Sequence, residues 1–169
     1  MIRLRQASLD DIKSVRNIVA AAADDLTARF GEGHWSGVRT IETLQKYAGS
    51  GTLYLIEADA VAVGTLRLTD RKIGFYHNAW FARPDDPAGY LLDMAVHPER
   101  QRRGLGRCAM ELAEQRARQG GMRAIRLDAY HGPAGAGGFY RKCGYTLVHQ
   151  GDMRGVGLEY VEKLLPPPK

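Results

Sequence analysis

The sequence predicts an α/β (α+β) protein in which helices flank one mixed sheet. Three observations support this class: a strand and an amphipathic helix open the chain, two strand-like runs form a hairpin, and a strand–helix–strand unit runs from Tyr90 to Tyr130. That last order implies a parallel pair with a right-handed crossover. The 169 residues suit a single domain over residues 1–165, followed by a proline-rich tail at 166–169.

The first third of the chain predicts one strand and two helices. Ile2–Gln6 alternates apolar and polar residues, and Ser8 then stands where a helix N-cap is expected. Apolar residues recur at helical spacing from Ile12 to Leu26, and the glycines of Gly31–Gly37 end that helix. A shorter helix is predicted over Thr40–Tyr47.

The middle of the chain predicts a hairpin followed by a segment without periodicity. Strand-like runs at Thr52–Ala58 and Val61–Thr69 meet at Asp59–Ala60. Lys72–Gly89 is rich in aromatic residues and proline, so we expect its rings either to line a substrate pocket or to pack against the sheet.

The second half predicts the strand–helix–strand unit and two closing strands. Tyr90–Val96 is an apolar run, the helix from Gly104 ends at Gly120–Gly121, and Ala124–Tyr130 is the next strand. Tyr145–Gln150 and Gly157–Lys163 are expected to pair antiparallel.

The turn between the first of these strands and its helix predicts an anion site. The first N–H groups of a helix have no intrahelical partner and carry the positive end of its dipole. Gly104 and Gly106 let a phosphate approach the backbone, and four arginines surround them: Arg100, Arg102, Arg103 and Arg107. Neither a Walker A loop nor a dinucleotide fingerprint fits the spacing, although a pyrophosphate fits the chemistry.

Composition narrows the partners. The net charge of +5 is concentrated around this turn, which favours a polyanionic cofactor over nucleic acid. No apolar run is long enough to span a membrane and no signal peptide is evident, so we expect a cytoplasmic protein without a membrane partner. Cys108 and Cys143 are too few for a metal site, so no metal is expected.

Two segments together resemble a known family. The residues Gln101–Gly106 match the Q/R-x-x-G-x-G/A signature of the GNAT superfamily of N-acetyltransferases, after a strand ending in Val96-His97-Pro98. Phe139–Tyr145 is similar to the L-Y-x-K-x-G-F segment of the same family. That family usually has an Asn seven residues before the Tyr of this segment, and this chain has Pro133 there, so the hydrogen bond from the Asn to the cofactor arm is supplied otherwise or lost.

The resemblance implies a fold and a cofactor. The fold is a twisted, mostly antiparallel sheet of about 6–7 strands with a splayed parallel pair and about four helices, and the co-substrate is acetyl-CoA. The resemblance implies that backbone N–H groups near Met94 to Val96 bind the thioester carbonyl. It implies that the turn from Gln101 to Arg107 binds the pyrophosphate. The implied cofactor-binding residues are Met94, Ala95, Val96, Gln101, Arg102, Arg103, Gly104, Leu105, Gly106, Arg107 and Tyr140.

Proton transfer requires an acid and a base. The resembled family carries its general acid toward the coenzyme A thiolate at the position of Tyr140, so the resemblance implies this role for Tyr140. Asp93 and Asp128 each interrupt an apolar strand, where a carboxylate is costly unless it is paired or functional, so both are candidate bases, directly or through water. Asp128 is favoured because some family members that acetylate protein N-termini carry a Glu base there.

The leading hypothesis is acetyl-CoA-dependent N-acetylation of a primary amine of a small molecule by direct attack in a ternary complex. Acetylation of a protein N-terminus or lysine is the second hypothesis, and a non-catalytic domain that senses coenzyme A is the third. Dimers are common in the resembled family, so a homodimer is one further expectation.

Overall fold

The computed structural model describes residues 1–167, so Pro168 and Lys169 of the expected tail lie outside it. In chain order the longer elements are β1 (Ile2–Gln6), α1 (Ile12–Phe30), α2 (Ile41–Gly49), β2 (Leu53–Ala58), β3 (Val61–Thr69), β4 (Ala88–Val96), α3 (Leu105–Gln119), β5 (Ala124–Tyr130), α4 (Gly137–Lys142), β6 (Thr146–Met153) and β7 (Val156–Leu164). Pro166 and Pro167 follow the last strand without joining it.

The seven strands have the order β1-β2-β3-β4-β5-β7-β6. Four of the described pairings, β1–β2, β2–β3, β5–β7 and β6–β7, are antiparallel, and β4–β5 is parallel. The parallel pairing joins Ala88–Tyr90 to Ala124–Arg126 and ends there, although β4 runs on to Val96 and β5 to Tyr130. The predicted mixed sheet with a parallel pair and flanking helices is therefore confirmed.

Two compact units make up the chain, and the first comprises residues 1–68 and 93–113. Its core joins apolar residues of α1 and α2 to β2, including Val15, Leu44 and Leu55. The helix α1 begins one turn later than its cap suggests. A short 3₁₀ turn comes first, in which the Ser8 backbone N–H and side-chain hydroxyl both donate to Asp11 Oδ2, at 2.8 and 2.9 Å.

The hairpin between β2 and β3 has the predicted turn. Asp59 and Ala60 both have positive φ, 50° and 63°, as a type I′ turn requires. At the other end of β2, Thr40 caps α2 by accepting a hydrogen bond from Thr43 N at 3.2 Å, so the helix begins at Ile41 and extends past the predicted end at Tyr47.

The second unit comprises residues 69–92 and 114–169, of which 114–167 are described. A buried ion pair ties its aromatic segment to the sheet: Arg126 Nε lies 3.1 Å from Glu162 Oε1, and both side chains are almost fully buried. Arg126 also donates to Arg83 O at 2.7 Å and lies over the Phe81 ring. The second Glu162 oxygen accepts from Ala82 N at 3.0 Å. The segment therefore packs against the strands, as one of the two expectations held.

The strand β7 lies between β5 and β6, and its side chains reach several other elements of this unit. Lys163 donates to Glu114 on α3 and to the Cys143 carbonyl after α4, each at 2.8 Å. Both closing strands are longer than predicted, because the tight turn at Arg154–Gly155 lets pairing continue to Met153 and Val156.

Candidate functional site

The amino end of α3 has the geometry of an anion site. Its first backbone hydrogen bond runs from Cys108 N to Gly104 O at 3.1 Å. The amides of Leu105, Gly106 and Arg107 therefore have no acceptor within the helix. These N–H groups and the positive end of the helix dipole point toward the exposed turn that precedes them.

The turn before α3 is fixed from both sides. Gln101 Nε2 donates to Val96 O at 3.0 Å, which ties the turn to the end of β4, and Gln101 N donates to Pro98 O at 3.2 Å. Arg102 and Gly104 have φ of 60° and 77°, so the backbone turns twice through the left-handed region before α3 starts. A specific role for Gln101 thus emerges that its place in the motif did not reveal.

The arginines of this turn point toward solvent. Arg100, Arg102 and Arg103 are exposed. Arg107 lies 3.4 Å from Glu111, one turn along the helix, and both side chains are more than half exposed. An exposed ion pair of this kind is weak, about 0–1 kcal/mol, and an incoming phosphate can compete for the guanidinium.

The end of β4 carries the predicted carbonyl-binding residues Met94, Ala95 and Val96, which are all partly buried. The neighbouring β3 approaches them closely at Gly64, where a side-chain Cβ would lie 2.7 Å from Ala95 O. The strand is bent just before them, because Asp93 has φ of 49°.

Asp93 lies between two guanidinium groups. Arg39 and Arg67 each approach one of its carboxylate oxygens at 3.2 Å, and Arg67 also stacks on the Tyr47 ring at 3.4 Å from its centroid. Two ion pairs therefore compensate the charge of this carboxylate inside the strand. Of the two readings that the sequence left open for Asp93, the ion pair is the one observed.

Asp128 has a different environment, in the second unit. The buried hydroxyl of Tyr76 donates to Asp128 Oδ1 at 2.5 Å. Burial, followed by the charge of Asp128 and this hydrogen bond, raises the pKa of Tyr76 far above its ordinary value. Burial and then the Asp128 charge also raise the pKa of Tyr160, which is opposite Asp128 on β7.

Tyr140 lies on the short helix α4 and is buried, 7 % exposed. Its ring contacts those of Phe139 and Tyr145, with centroids 5.2 and 6.0 Å apart. Burial, then the charges of Asp128 and Cys143, raise its pKa well above the ordinary value of a tyrosine. The hydroxyl therefore stays protonated near neutral pH, as a proton donor must.

Glu159 on β7 is a residue that the sequence reasoning missed. This buried carboxylate accepts from Arg141 at 2.9 Å, from Gln150 at 3.1 Å and contacts His131 Nδ1 at 3.2 Å. Gly137 makes room for it, since a Cβ there would lie 2.1 Å from Glu159 Oε2. The glutamate therefore contacts His131, where the loop into α4 begins, and Arg141, on α4 itself. Its sequence signal was a carboxylate inside a predicted strand, which is costly unless paired.

The candidates divide between the two units. The cofactor-binding candidates from Met94 to Arg107 belong to the first unit together with Asp93, whereas Asp128 and Tyr140 belong to the second. Within residues 1–167, no group of three or more His, Cys, Asp or Glu side chains could hold a metal ion, and none of the helices is long and apolar enough to cross a membrane.

Comparison with known proteins adds a family and a set of structural neighbours. Residues 20–145 match the sequence profile of the Acetyltransferase (GNAT) family. An acetyltransferase of the GNAT family from Listeria monocytogenes has 19% identity and a TM-score of 0.76, with 97% of this chain and 95% of that chain covered. No curated protein sequence matches the chain.

Two further neighbours were crystallised with a cofactor. The PaiA N-acetyltransferase from Thermoplasma acidophilum, in complex with coenzyme A, has 18% identity and a TM-score of 0.74, covering 97% of this chain and 99% of that one. The protein yncA from Salmonella typhimurium, with its cofactor acetyl-CoA, has 16% identity and a TM-score of 0.66, covering 98% and 94%. At these identities the likeness is one of fold.

Proposed function

The chain belongs to the acetyltransferase (GNAT) family, and from this premise we propose that it transfers an acetyl group from acetyl-CoA to a primary amine of a small molecule. The observation that supports acetyl-CoA as the co-substrate is the amino end of α3. Its first amides have no acceptor within the helix, Gln101 holds the turn before it, and the arginines of that turn are exposed. The two neighbours crystallised with coenzyme A or acetyl-CoA support the same choice.

The pyrophosphate of the cofactor is proposed to bind the amides of α3 and the side chains of the turn, and the thioester carbonyl to meet the backbone of Met94–Val96. No metal is needed for this chemistry, because the helix dipole and the guanidinium groups supply the positive charge.

In the reaction the amine nitrogen attacks the thioester carbon, so an N–C bond forms and the C–S bond breaks. We propose Asp128 as the base that takes the ammonium proton, directly or through water, because its charge acts on the proposed acid Tyr140, whereas Asp93 forms ion pairs with two arginines. Tyr140 donates its proton to the departing thiolate, and the proton that the nitrogen loses on forming the amide replaces it. Asp128 passes the proton it took to solvent, and the products are an N-acetyl amine and coenzyme A.

The test is release of free thiol from acetyl-CoA over a panel of amines, with Tyr140→Phe beside the parent protein. We expect turnover to fall at least about tenfold in the variant with acetyl-CoA binding kept. Tyr145→Phe is the matched control, because this buried ring contacts that of Tyr140. Undiminished turnover in Tyr140→Phe would remove this residue from its role.

The acceptor panel also separates the alternatives. Acetylation of peptides in preference to free amines would favour a protein N-terminal or lysine acceptor, toward which the position of Asp128 points. Binding of acetyl-CoA without turnover on any acceptor would favour a coenzyme A sensor.

Calorimetry tests the cofactor site by itself. The double variant Arg102→Ala, Arg103→Ala should weaken acetyl-CoA binding about tenfold, the equivalent of ~1.4 kcal/mol. Arg116→Ala, in the last turn of the same helix, is the control. Equal affinities in the two variants would contradict the proposed pyrophosphate site.

Three expectations of organisation are proposed on the same footing. One is that residues 1–165 act as a single catalytic domain, which the family match supports because it includes residues of both units. The others are a cytoplasmic location and a homodimer, to be checked by cell fractionation and by light scattering.

A further inference from the structure

Tyr76 lies in the segment between β3 and β4 for which the sequence predicted no regular structure. Its backbone N–H donates to Ile73 O at 3.0 Å, and its side chain is 2 % exposed. The hydroxyl donates to Asp128 Oδ1, a residue 52 positions along the chain, at 2.5 Å. The contact therefore joins an irregular segment to the middle of β5.

Four aromatic rings hold the Tyr76 ring in place. Those of Phe75, Phe81, Tyr90 and Tyr160 have centroids 5.2, 6.1, 5.8 and 5.4 Å from its own. Most of these contacts are edge-on, the arrangement that aromatic pairs prefer. Because these contacts hold the ring, the hydroxyl oxygen stays beside the carboxylate, to which its O–H donates.

We propose that Tyr76 is a positioning residue for Asp128, whose carboxylate it orients and keeps ready to accept a proton. The inference rests on the proposed role of Asp128 as the base. A carboxylate offers about four lone-pair sites, so a hydroxyl at Oδ1 leaves it able to take up a proton. The hydrogen bond that Tyr76 donates favours the charged form of the carboxylate over the neutral acid.

Other groups near Asp128 define the background for any effect of pH. They come from the segment before β4, from α4, from β5 and from β7: Tyr76, Tyr140, Tyr160 and the buried pair Arg126–Glu162, which is one step along the same face of β5 and β7. All the tyrosines in this set keep their protons through the neutral range, because burial raises the pKa of each.

The experiment is the pH profile of kcat/KM for Tyr76→Phe, with Asp128→Asn and Tyr90→Phe alongside. Loss of a hydrogen bond to a charged group should move the acid limb of Tyr76→Phe to higher pH by about one unit. Tyr90→Phe removes a hydroxyl from the same aromatic cluster, but one that accepts from Arg126 at 3.4 Å, so its limb should stay in place. A limb at the parent pH in Tyr76→Phe would overturn the inference.

Replacing Tyr76 by 3-fluorotyrosine gives a variant that retains the hydroxyl and the packing. The more acidic phenol donates more strongly, so the acid limb should move to lower pH, opposite to the phenylalanine variant. If Tyr76→Phe does not fold, this variant decides: an unmoved limb would refute the positioning role.

The carboxyl carbon of Asp128, followed by ¹³C NMR, reports the same shift without turnover. If Asp128→Asn keeps full activity, the base assignment fails, while the NMR titration still tests whether Tyr76 controls the carboxylate. If Asp128→Asn loses activity but neither limb nor titration responds to Tyr76, only the positioning inference fails.

Discussion

The buried ion pair between Arg126 and Glu162 makes a sharp prediction about stability. Arg126→Met removes the guanidinium and leaves the Glu162 carboxylate, 4 % exposed, with the Ala82 N–H as its remaining described donor. Breaking a buried pair from one side costs about 3–5 kcal/mol, and the retained Ala82 hydrogen bond points to the lower end, ~3 kcal/mol. For a chain of this size that corresponds to a fall in Tm of about 6–12 °C.

Urea unfolding and thermal melting of Arg126→Met, Glu162→Leu and the double variant measure this effect. The double variant should recover at least about half of the summed loss, because it leaves no uncompensated charge in the core. Arg29→Met, which removes an exposed pair with Asp25, is the control and should cost about 0.5 kcal/mol or less. If Arg126→Met costs less than about 1 kcal/mol, or if the double variant equals the sum of the single ones, the reasoning is refuted.

Three further predictions concern the site and its supports. Gly137→Ala should destabilise the protein by about 1 kcal/mol, measured by thermal melting, since the new methyl group would push the Glu159 carboxylate away from its hydrogen bond with Arg141; a Tm equal to the parent's would contradict this. The hydrogen bond from Arg5 lowers the pKa of Asp11 in the folded state, so its stabilisation is complete above about pH 4 and is lost as pH falls through the folded value. Asp11→Asn should therefore flatten the acid side of a plot of unfolding free energy against pH, and an unchanged slope would count against the pair. Gln101→Ala should raise the Kd for acetyl-CoA about fivefold in calorimetry with little change in Tm, whereas an unchanged Kd would show that the turn keeps its shape without the amide.

Helices and strands whose apolar residues recur at a fixed spacing were predictable, because burial of one face of the element imposes that spacing. The strand Val61–Thr69 was predicted at both ends, and α1 was found at its apolar spacing. The ends of other elements depended on side-chain details: Thr40 caps α2 in place of being its first residue. The helix start after Gly104 was also predictable, because its glycines and apolar residues lie within a few positions of one another, and anion binding there stays a prediction.

The partners of single polar groups were not predictable in this way. Asp93 meets Arg39 from 54 positions away, and Asp128 meets Tyr76 from 52. No local pattern encodes such a contact, since it depends on how two distant segments pack. The sequence could therefore say that each aspartate must have a role or a partner, but not which of the two applied.

The last strand supplies the side chains that hold the second unit together, through Glu159, Tyr160, Glu162 and Lys163. During synthesis these residues leave the ribosome after every other element of the unit. The aromatic segment and α4 must therefore wait, with apolar surface exposed, until β7 has been made. Truncation of even the final strand would leave a nascent chain that chaperones and proteases recognise, however complete its earlier elements are.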